Sequence, residues 1–181
     1  MIRTLRAGGV AAAVFGFFIA IAAVVGTPGV AAAPFVPGPA FSGSLEQQVA
    51  SAARAETDDA EQDCLASAVY FEARGEPLKG QLAVADVVLN RVRSEGYPDT
   101  ICQVVEQPWQ FSFVNATGSI PAADRGSDAW LNAVAIARIA LAGTIRAVDS
   151  DVLWYHADYV SPSWGRRLAR QDKIGLHIFY S

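Results

Sequence analysis

The sequence predicts an α+β domain that is mainly helical and carries a small antiparallel β-sheet. Three observations support this fold class. Residues 64–75 and 80–93 carry apolar side chains at helical spacing, and residues 128–142 form a third segment of the same kind. The chain then ends in two short segments, 152–156 and 176–180, whose β-branched and aromatic residues are typical of strands.

A carboxylate interrupts the apolar side of the first predicted helix. Read at i, i+4, i+7 and i+11, this helix face consists of Leu65, Val69, Glu72 and Glu76. We therefore expect Glu72 to be drawn out of water, which raises the pKa of a carboxyl group and suits a general acid. Glu76 is beside Pro77, where the helix is expected to end, and should be better hydrated. The alternative for Glu72 is a structural ion pair with Arg74 or Arg91.

The second predicted helix is apolar around most of its circumference, which places it at the centre of the domain. Asp86 interrupts it and needs a hydrogen-bonding partner if it is buried. Residues 94–126 contain several Gly and Pro residues and are predicted as loops. The third predicted helix begins after Ser127, a suitable N-cap, and ends at Gly143. Two strands that pair across the polar, basic residues 161–173 complete the predicted sheet.

The first 33 residues have the composition of an export signal. Arg3 and Arg6 precede an uncharged apolar run from Ala7 to about Val25, and small residues follow up to Ala33, where cleavage is expected. Because the run is about 18 residues long, near the lower limit for a membrane span, an uncleaved anchor is the alternative. Both interpretations place the rest of the chain outside the cytoplasm, in the periplasm or the cell wall.

The remaining chain divides into a tether and one domain. Residues 34–62 are rich in Pro and Ser and then in acidic side chains, and are predicted to be flexible. Residues 63–181 are enough for one compact domain, which we expect to be a monomer. Without the two arginines of the export signal the chain has 12 basic and 18 acidic residues, a net charge of −6. This balance gives no indication of a nucleic-acid partner.

The chain has two cysteines, Cys64 and Cys102, and the predicted export takes them to a compartment that permits oxidation. If the first two helices pack antiparallel, the start of the first is near the end of the second, and the thiols can meet. A disulfide would then contribute roughly 3 to 4 kcal/mol. The alternative is a cysteine peptidase, in which Cys64 is a thiolate nucleophile and His156 or His177 is its base.

Several short motifs follow one another along the chain: CLA from Cys64, YFEARGE from Tyr70, GQ from Gly80, AVA from Ala83, VLNRV from Val88, QFSF from Gln110, YH from Tyr155 and GLHIF from Gly175. In this order they resemble the cell wall hydrolase family of spore-cortex-lytic enzymes, the SleB and CwlJ type. The resemblance covers essentially all of residues 64–180. Its specific part runs from FEARGE to LNRV, because several fixed residue types recur there at fixed spacing.

The resemblance implies a lysozyme-like or transglycosylase-like domain that acts on the glycan strands of peptidoglycan without a cofactor. The first glutamate of the EARGE motif is the catalytic acid in that family, and it corresponds to Glu72. A retaining glycosidase needs two carboxylates about 5–5.5 Å apart, and an inverting one needs them about 6.5–9.5 Å apart. A lytic transglycosylase needs one, because the 6-hydroxyl of the muramic sugar attacks C1. Only Glu72 is well placed for a buried role, which favours transglycosylation over hydrolysis by a muramidase.

Side chains that suit a sugar groove occur in the later motifs. We expect Gln110, Ser112, Tyr155 and His156 to line the groove, with Glu76 as a supporting residue. Amides and hydroxyls form hydrogen bonds with sugar hydroxyls and acetamides, and aromatic rings stack on sugar rings. For Tyr155, a place in the core is the alternative.

Other functions remain open from the residues alone. A zinc amidase that removes peptide from the muramic acid would use His156, His177 and a carboxylate, but two histidines without a close pairing such as HExxH supply too few ligands. We therefore expect no metal. A non-catalytic wall-binding protein would keep the fold without the reaction. Many members of the family carry a separate wall-binding domain, and no segment of this sequence is predicted to be one.

Overall fold

The computed structural model of the chain describes residues 43–117 and 119–181, except for the side chains of residues 115–117. The elements in this part are α1 Leu45–Ala52, α2 Ala60–Ala73, α3 Leu78–Val92, α4 Ile101–Val105, α5 Ser112–Thr117, α6 Asp128–Ala142, β1 Trp154–Ala157, β2 Arg170–Ile174 and β3 His177–Tyr180. They confirm the predicted α+β class. The predicted export signal and the first part of the predicted tether lie outside the described residues. Across residues 43–117 and 119–181, none of the helices combines the length and apolar character that crossing a bilayer requires.

Three helices, α2, α3 and α6, pack against one another at the centre of the domain. Every residue of α3 from Gly80 to Arg91 is buried, as its apolar circumference predicts. Helix α6 begins and ends as predicted: the Ser127 hydroxyl accepts a hydrogen bond from the Trp130 N–H at 3.2 Å, and Gly143 has a left-handed φ of 65°. Helices α3 and α6 therefore support α2 with buried side chains.

Residues 45–52, within the segment predicted to be a flexible tether, form α1. Ser44 begins the helix with a capping box that it shares with Gln47. Val49 and Ala52 are buried in the main core, and α1 packs against α6. One apolar stripe at helical spacing is enough to dock two turns of helix, although the surrounding composition is polar. The core of the domain therefore begins before residue 63.

Residues 94–126, predicted as loops, contain the short helices α4 and α5. The start of α4 is joined to the start of α2, because the Glu61 carboxylate accepts a hydrogen bond from the Ile101 N–H at 2.6 Å. Beside this contact Cys64 and Cys102 form a disulfide, with their Cα atoms 5.2 Å apart. The predicted disulfide is thus confirmed. Neither thiol is free, which removes the cysteine peptidase from consideration.

The sheet has the strand order β1-β3-β2, and all its strands are antiparallel. The two predicted strands, β1 and β3, pair directly, with Trp154 opposite Tyr180. The edge strand β2 comes from the segment predicted as a connection, where exposed charged residues conceal a strand pattern. Since side chains alternate along a strand, the sheet has an inner face, which packs on α3 and contains Tyr155 and Phe179, and an outer face with Trp154, His156 and Tyr180.

Candidate active site

Glu72 lies in the last turn of α2 and is half-buried. Burial raises the pKa of its carboxyl group above the ordinary value, while hydrogen bonds from Tyr155 and Ser112 and the positive charge of Arg91 act in the opposite direction. The net direction is the one that the helical spacing predicts. A carboxyl group that keeps its proton at higher pH, yet has donors ready for its ionised form, is suited to general acid and base chemistry.

Tyr155 contacts the acid from β1. Its hydroxyl donates a hydrogen bond to Oε2 of Glu72 at 3.4 Å. Burial and the nearby Glu72 carboxylate raise the pKa of the phenol well above its ordinary value, so the hydroxyl stays protonated and remains a donor. The ring packs among inner-face side chains, with its centre 5.1 Å from that of His177 and 5.7 Å from that of Phe179. Tyr155 is therefore a partly buried residue that packs against the core and whose hydroxyl faces the carboxylate.

Ser112 also contacts the acid. It is the first residue of α5, its side chain is exposed, and both its hydroxyl and its backbone N–H form hydrogen bonds with Glu72. Phe111, immediately before it, is buried and fixes the segment in the core. Gln110 lies on the same segment and is half-buried. The backbone donor has no signature in the sequence, so only the structure reveals it.

Arg91 places a positive charge near the acid without forming an ion pair with it. The residue is buried, its Nε donates to the Leu153 carbonyl at 2.9 Å, and its guanidinium lies 5.5 Å from the centre of the Tyr97 ring. Arg74, the other predicted partner, lies over the Tyr70 ring at 5.0 Å. Within the described residues neither arginine forms an ion pair with Glu72. A structural ion pair therefore does not explain the position of Glu72.

Glu76 has a different contact, at the turn between β2 and β3. Its Oε2 accepts a hydrogen bond from the Leu176 N–H at 2.9 Å. Gly175 has a φ of 59°, and a Cβ atom there would lie 1.8 Å from the same oxygen. Glycine is thus required at this turn both by the backbone conformation and by the approach of Glu76. The structure thus directs the Glu76 carboxylate to the hairpin turn.

His156 and Tyr155 are adjacent in β1 and consequently lie on opposite faces of the sheet. The Nδ1 atom of His156 is 2.8 Å from the Ala157 carbonyl oxygen, and Nε2 is 2.9 Å from the Tyr180 hydroxyl. The His156 ring also stacks on Tyr180, with ring centres 5.3 Å apart. The structure therefore separates two residues that the sequence places in one groove.

His177, the other histidine, is buried on the inner face, where burial lowers its pKa. It lies on β3, whereas His156 lies on the outer face of β1. In the described part of the chain, no group of three or more His, Cys, Asp or Glu side chains is arranged to hold a metal ion. The ligand set that the zinc amidase hypothesis needs is thus not assembled from these histidines.

Comparison with known proteins assigns this fold, with its arrangement of side chains around Glu72, to a class of protein. Residues 75–180 match the Cell Wall Hydrolase family. The match covers more than half of the chain, and the chain belongs to this family. Glu72 precedes the matched residues by three positions.

Individual relatives of known name support the same family assignment. The spore cortex-lytic enzyme of Oceanobacillus iheyensis is 37% identical over 118 residues, which are 64% of this chain and 39% of the relative. The spore cortex-lytic enzyme of Bacillus subtilis is 37% identical over 120 residues, which are 64% of this chain and 35% of the relative. The chain thus spans well under half the length of these curated relatives.

Solved structures match over nearly their whole length. The catalytic domain of the germination-specific lytic transglycosylase SleB from Bacillus anthracis is 34% identical with a TM-score of 0.55, over 67% of this chain and 93% of that one. The catalytic domain of the Bacillus cereus SleB protein is 31% identical with a TM-score of 0.57, over 71% of this chain and 95% of that one. The similarity to SleB therefore concerns its catalytic domain.

Proposed function

We propose that this chain is an exported lytic transglycosylase that cleaves the glycan strands of peptidoglycan between N-acetylmuramic acid and N-acetylglucosamine. The observation that carries the proposal is the surroundings of Glu72, a half-buried carboxyl group with a raised pKa and hydroxyl donors from Tyr155 and Ser112. The similarity to a domain described as a lytic transglycosylase supports the same reaction.

In this reaction Glu72 acts twice. Its protonated carboxyl group first gives a proton to the glycosidic oxygen, the bond from C1 to that oxygen breaks, and N-acetylglucosamine leaves with a free 4-hydroxyl. The 6-hydroxyl of the muramic sugar then attacks C1 to form a 1,6-anhydro ring, and its proton passes to the Glu72 carboxylate. Between the two steps Tyr155 and Ser112 stabilise the anion by hydrogen bonds. The residue ends in its starting state, and no water is consumed.

The identity of the groups around Glu72 favours this reaction over hydrolysis. Within the described residues, the largest influences on its carboxyl group besides burial come from Tyr155, Ser112 and Arg91, and none of these is a second carboxylate. Glu76, the nearest acidic residue in the sequence, accepts a hydrogen bond from the Leu176 N–H instead. A hydrolase with two carboxylates needs the second one beside the scissile bond to act on water or on C1.

The remaining predicted residues receive roles according to their positions. Ser112 and Gln110 lie on the segment that reaches Glu72 and are proposed to line the substrate groove. Glu76 and His156 are proposed to act on the frame of the site, through the hairpin turn and the outer sheet face respectively. The disulfide is consistent with export to an oxidising compartment, for which we propose the periplasm or the cell wall, after removal of residues 1–33.

Mass analysis of the fragments that the protein releases from purified peptidoglycan tests the proposal. Products with 1,6-anhydro-muramic ends are expected. Reducing muramic ends would show a muramidase, free peptides would show an amidase, and binding without release would show a wall-binding protein. The matched controls are E72Q, which should release nothing, and E76Q, which should still release anhydro products because Glu76 lies at the hairpin turn. Release of anhydro products by E72Q would contradict the assignment of the acid.

A further inference from the structure

Trp109 combines two unfavourable features at one position. Its φ of 68° makes it the single non-glycine residue with a positive φ in the described part of the chain. A left-handed backbone brings Cβ too close to the following carbonyl oxygen, so a bulky residue rarely adopts it. Trp109 is also 84% exposed, the highest value among the large apolar residues described. An outlier of this kind at a rigid position is a reason to look for a function.

The turn that carries Trp109 is firmly held. The Gln110 N–H donates to the Gln107 carbonyl at 3.2 Å. Phe111 is 1% exposed, and the centre of its ring is 5.6 Å from that of Phe113. The conformation of Trp109 therefore belongs to a segment whose neighbours are fixed in the core. A rigid turn presents an aromatic ring to a ligand with little loss of conformational entropy.

The same turn leads directly to the acid. Ser112, three residues after Trp109, forms hydrogen bonds with Glu72 through its hydroxyl and its backbone N–H. Three residues of chain span at most about 11 Å, so the Cα atom of Trp109 is within that distance of the Cα atom of Ser112. The exposed Trp109 therefore lies on the same short segment as Ser112, an exposed residue that contacts Glu72.

We propose that Trp109 is a stacking surface for a sugar ring of the glycan strand, in a position adjoining the bond that Glu72 cleaves. This inference rests on the proposed function. An indole offers a broad, flat apolar face, which matches the C–H face of a pyranose ring, and its N–H can bond to a hydroxyl or acetamide at the ring edge. The strained backbone holds the indole in solvent, where a substrate can reach it. A position in the core would keep the indole away from the substrate.

Kinetics with soluble, peptide-free glycan chains tests the proposal on the full chain. In W109A the KM is expected to rise about tenfold, equivalent to ~1.4 kcal/mol, with kcat within about twofold of the wild type. The matched control is Y159A, because Tyr159 is 82% exposed but has an ordinary backbone conformation outside this turn. Its KM should not change. An unchanged KM in W109A, or an equal rise in Y159A, would overturn the assignment.

A glycine variant separates binding from folding. W109G accepts the positive φ without strain, so its Tm should not fall below that of W109A, while its KM should rise as much. If the indole had a structural role instead, W109A and W109G would both lower Tm. The Tm of W109F would then not follow its KM. A fall of Tm in W109G with no change of KM would therefore contradict the proposal.

Fluorescence of the inactive E72Q protein distinguishes failure of this inference from failure of the proposed function. Glycan chains should protect an indole from quenching by acrylamide in E72Q, and this protection should disappear in E72Q/W109F. Protection that persists without Trp109 would overturn the stacking role even if the enzyme releases anhydro products. Conversely, if the wild type releases no anhydro products, the proposed function fails, while loss of protection in E72Q/W109F would still support glycan contact at Trp109.

Discussion

Glu72 and Glu76 are separated by about one helical turn in the sequence, yet the last turn of α2 and the turn before α3 give them opposite surroundings. Glu72 is half-buried, receives hydroxyl hydrogen bonds from Tyr155 and Ser112, and has a raised pKa. Glu76 accepts a backbone N–H from Leu176 in a tight hairpin. The difference teaches that burial together with hydroxyl donors suits a carboxyl group to proton transfer, whereas the exposed contact with the hairpin N–H suits Glu76 to a structural task.

The first and largest test of this contrast exchanges each acid for its amide. E72Q should lower kcat by about a thousandfold or more, because the variant can neither give nor take the proton. E76Q should keep kcat within about tenfold, since its main loss is one charge-assisted hydrogen bond at the hairpin. Release of soluble glycan from peptidoglycan measures both. Equal loss of activity in the two variants would remove the distinction between the two glutamates.

Tyr155→Phe sharpens the description of the acid. Loss of the hydroxyl donor should lower kcat by about ten- to a hundredfold, because the ionised Glu72 loses a stabilising hydrogen bond. Since that bond lowers the pKa of Glu72, its removal should raise the pKa, and the alkaline limb of the pH profile of kcat should move to higher pH. A limb that stays in place or moves to lower pH would show that the hydroxyl does not act on Glu72.

The hairpin is tested by a double-mutant cycle. G175A forces a left-handed φ on alanine and places its Cβ against Oε2 of Glu76, so the free energy of unfolding should fall by about 2–3 kcal/mol. E76A should cost about 1.5–3 kcal/mol through the lost bond to Leu176. Together they should cost at least about 1 kcal/mol less than the sum, as denaturant unfolding will measure. If the two losses of unfolding free energy were strictly additive, Gly175 and Glu76 would not interact.

A pH-dependent effect on stability follows from the raised pKa of Glu72. A group with a raised folded-state pKa gives stability that is complete below its ordinary value of 4.5 and is lost as the pH rises through the folded-state value. The amide in E72Q does not ionise. Its Tm should therefore exceed that of the wild type at neutral pH and approach it in acid, as thermal unfolding at several pH values will measure. A lower Tm for E72Q at neutral pH would contradict this sign.

The smallest effect on activity is expected at the outer face of the sheet. His156→Phe should leave kcat/KM within about twofold, because the ring is on the opposite face from Tyr155. The Tyr180 hydroxyl loses its partner, so the free energy of unfolding should fall by about 1 kcal/mol. Kinetics and denaturant unfolding measure the two effects. A tenfold rise of KM in this variant would instead assign the outer face to the substrate.

The sequence was sufficient for the elements that carry strong local signals. The Ser127 cap and Gly143 stop set the bounds of α6, and the apolar circumference of α3 set its central position. Helix α1 was missed because its apolar stripe lies within a polar, proline-containing segment, and β2 was missed because an exposed edge strand of charged residues has no alternating pattern. Both elements depend on packing against the rest of the folded domain, which local sequence patterns do not reveal.

The site divides in the same way. Helical periodicity was enough to single out Glu72, because a carboxylate on an apolar face is a local anomaly. The opposite directions of Tyr155 and His156 follow from strand alternation only when the strand bounds and the buried face are known. The role of Glu76 depends on a turn 100 residues away in the sequence, and the Ser112 N–H belongs to the backbone. Distances of this kind come only from the folded chain.

The disulfide that joins the starts of α2 and α4 makes the stability of the domain depend on the redox state of its surroundings. The bond closes a loop across a separation of 38 residues, and its reduction should lower the free energy of unfolding by roughly 3 to 4 kcal/mol, as unfolding with and without a reductant measures. Glutathione keeps thiols reduced in the cytosol. On the proposed route of export, the newly made chain is therefore at its least stable in the cytosol, and it gains its full stability only after it reaches an oxidising compartment.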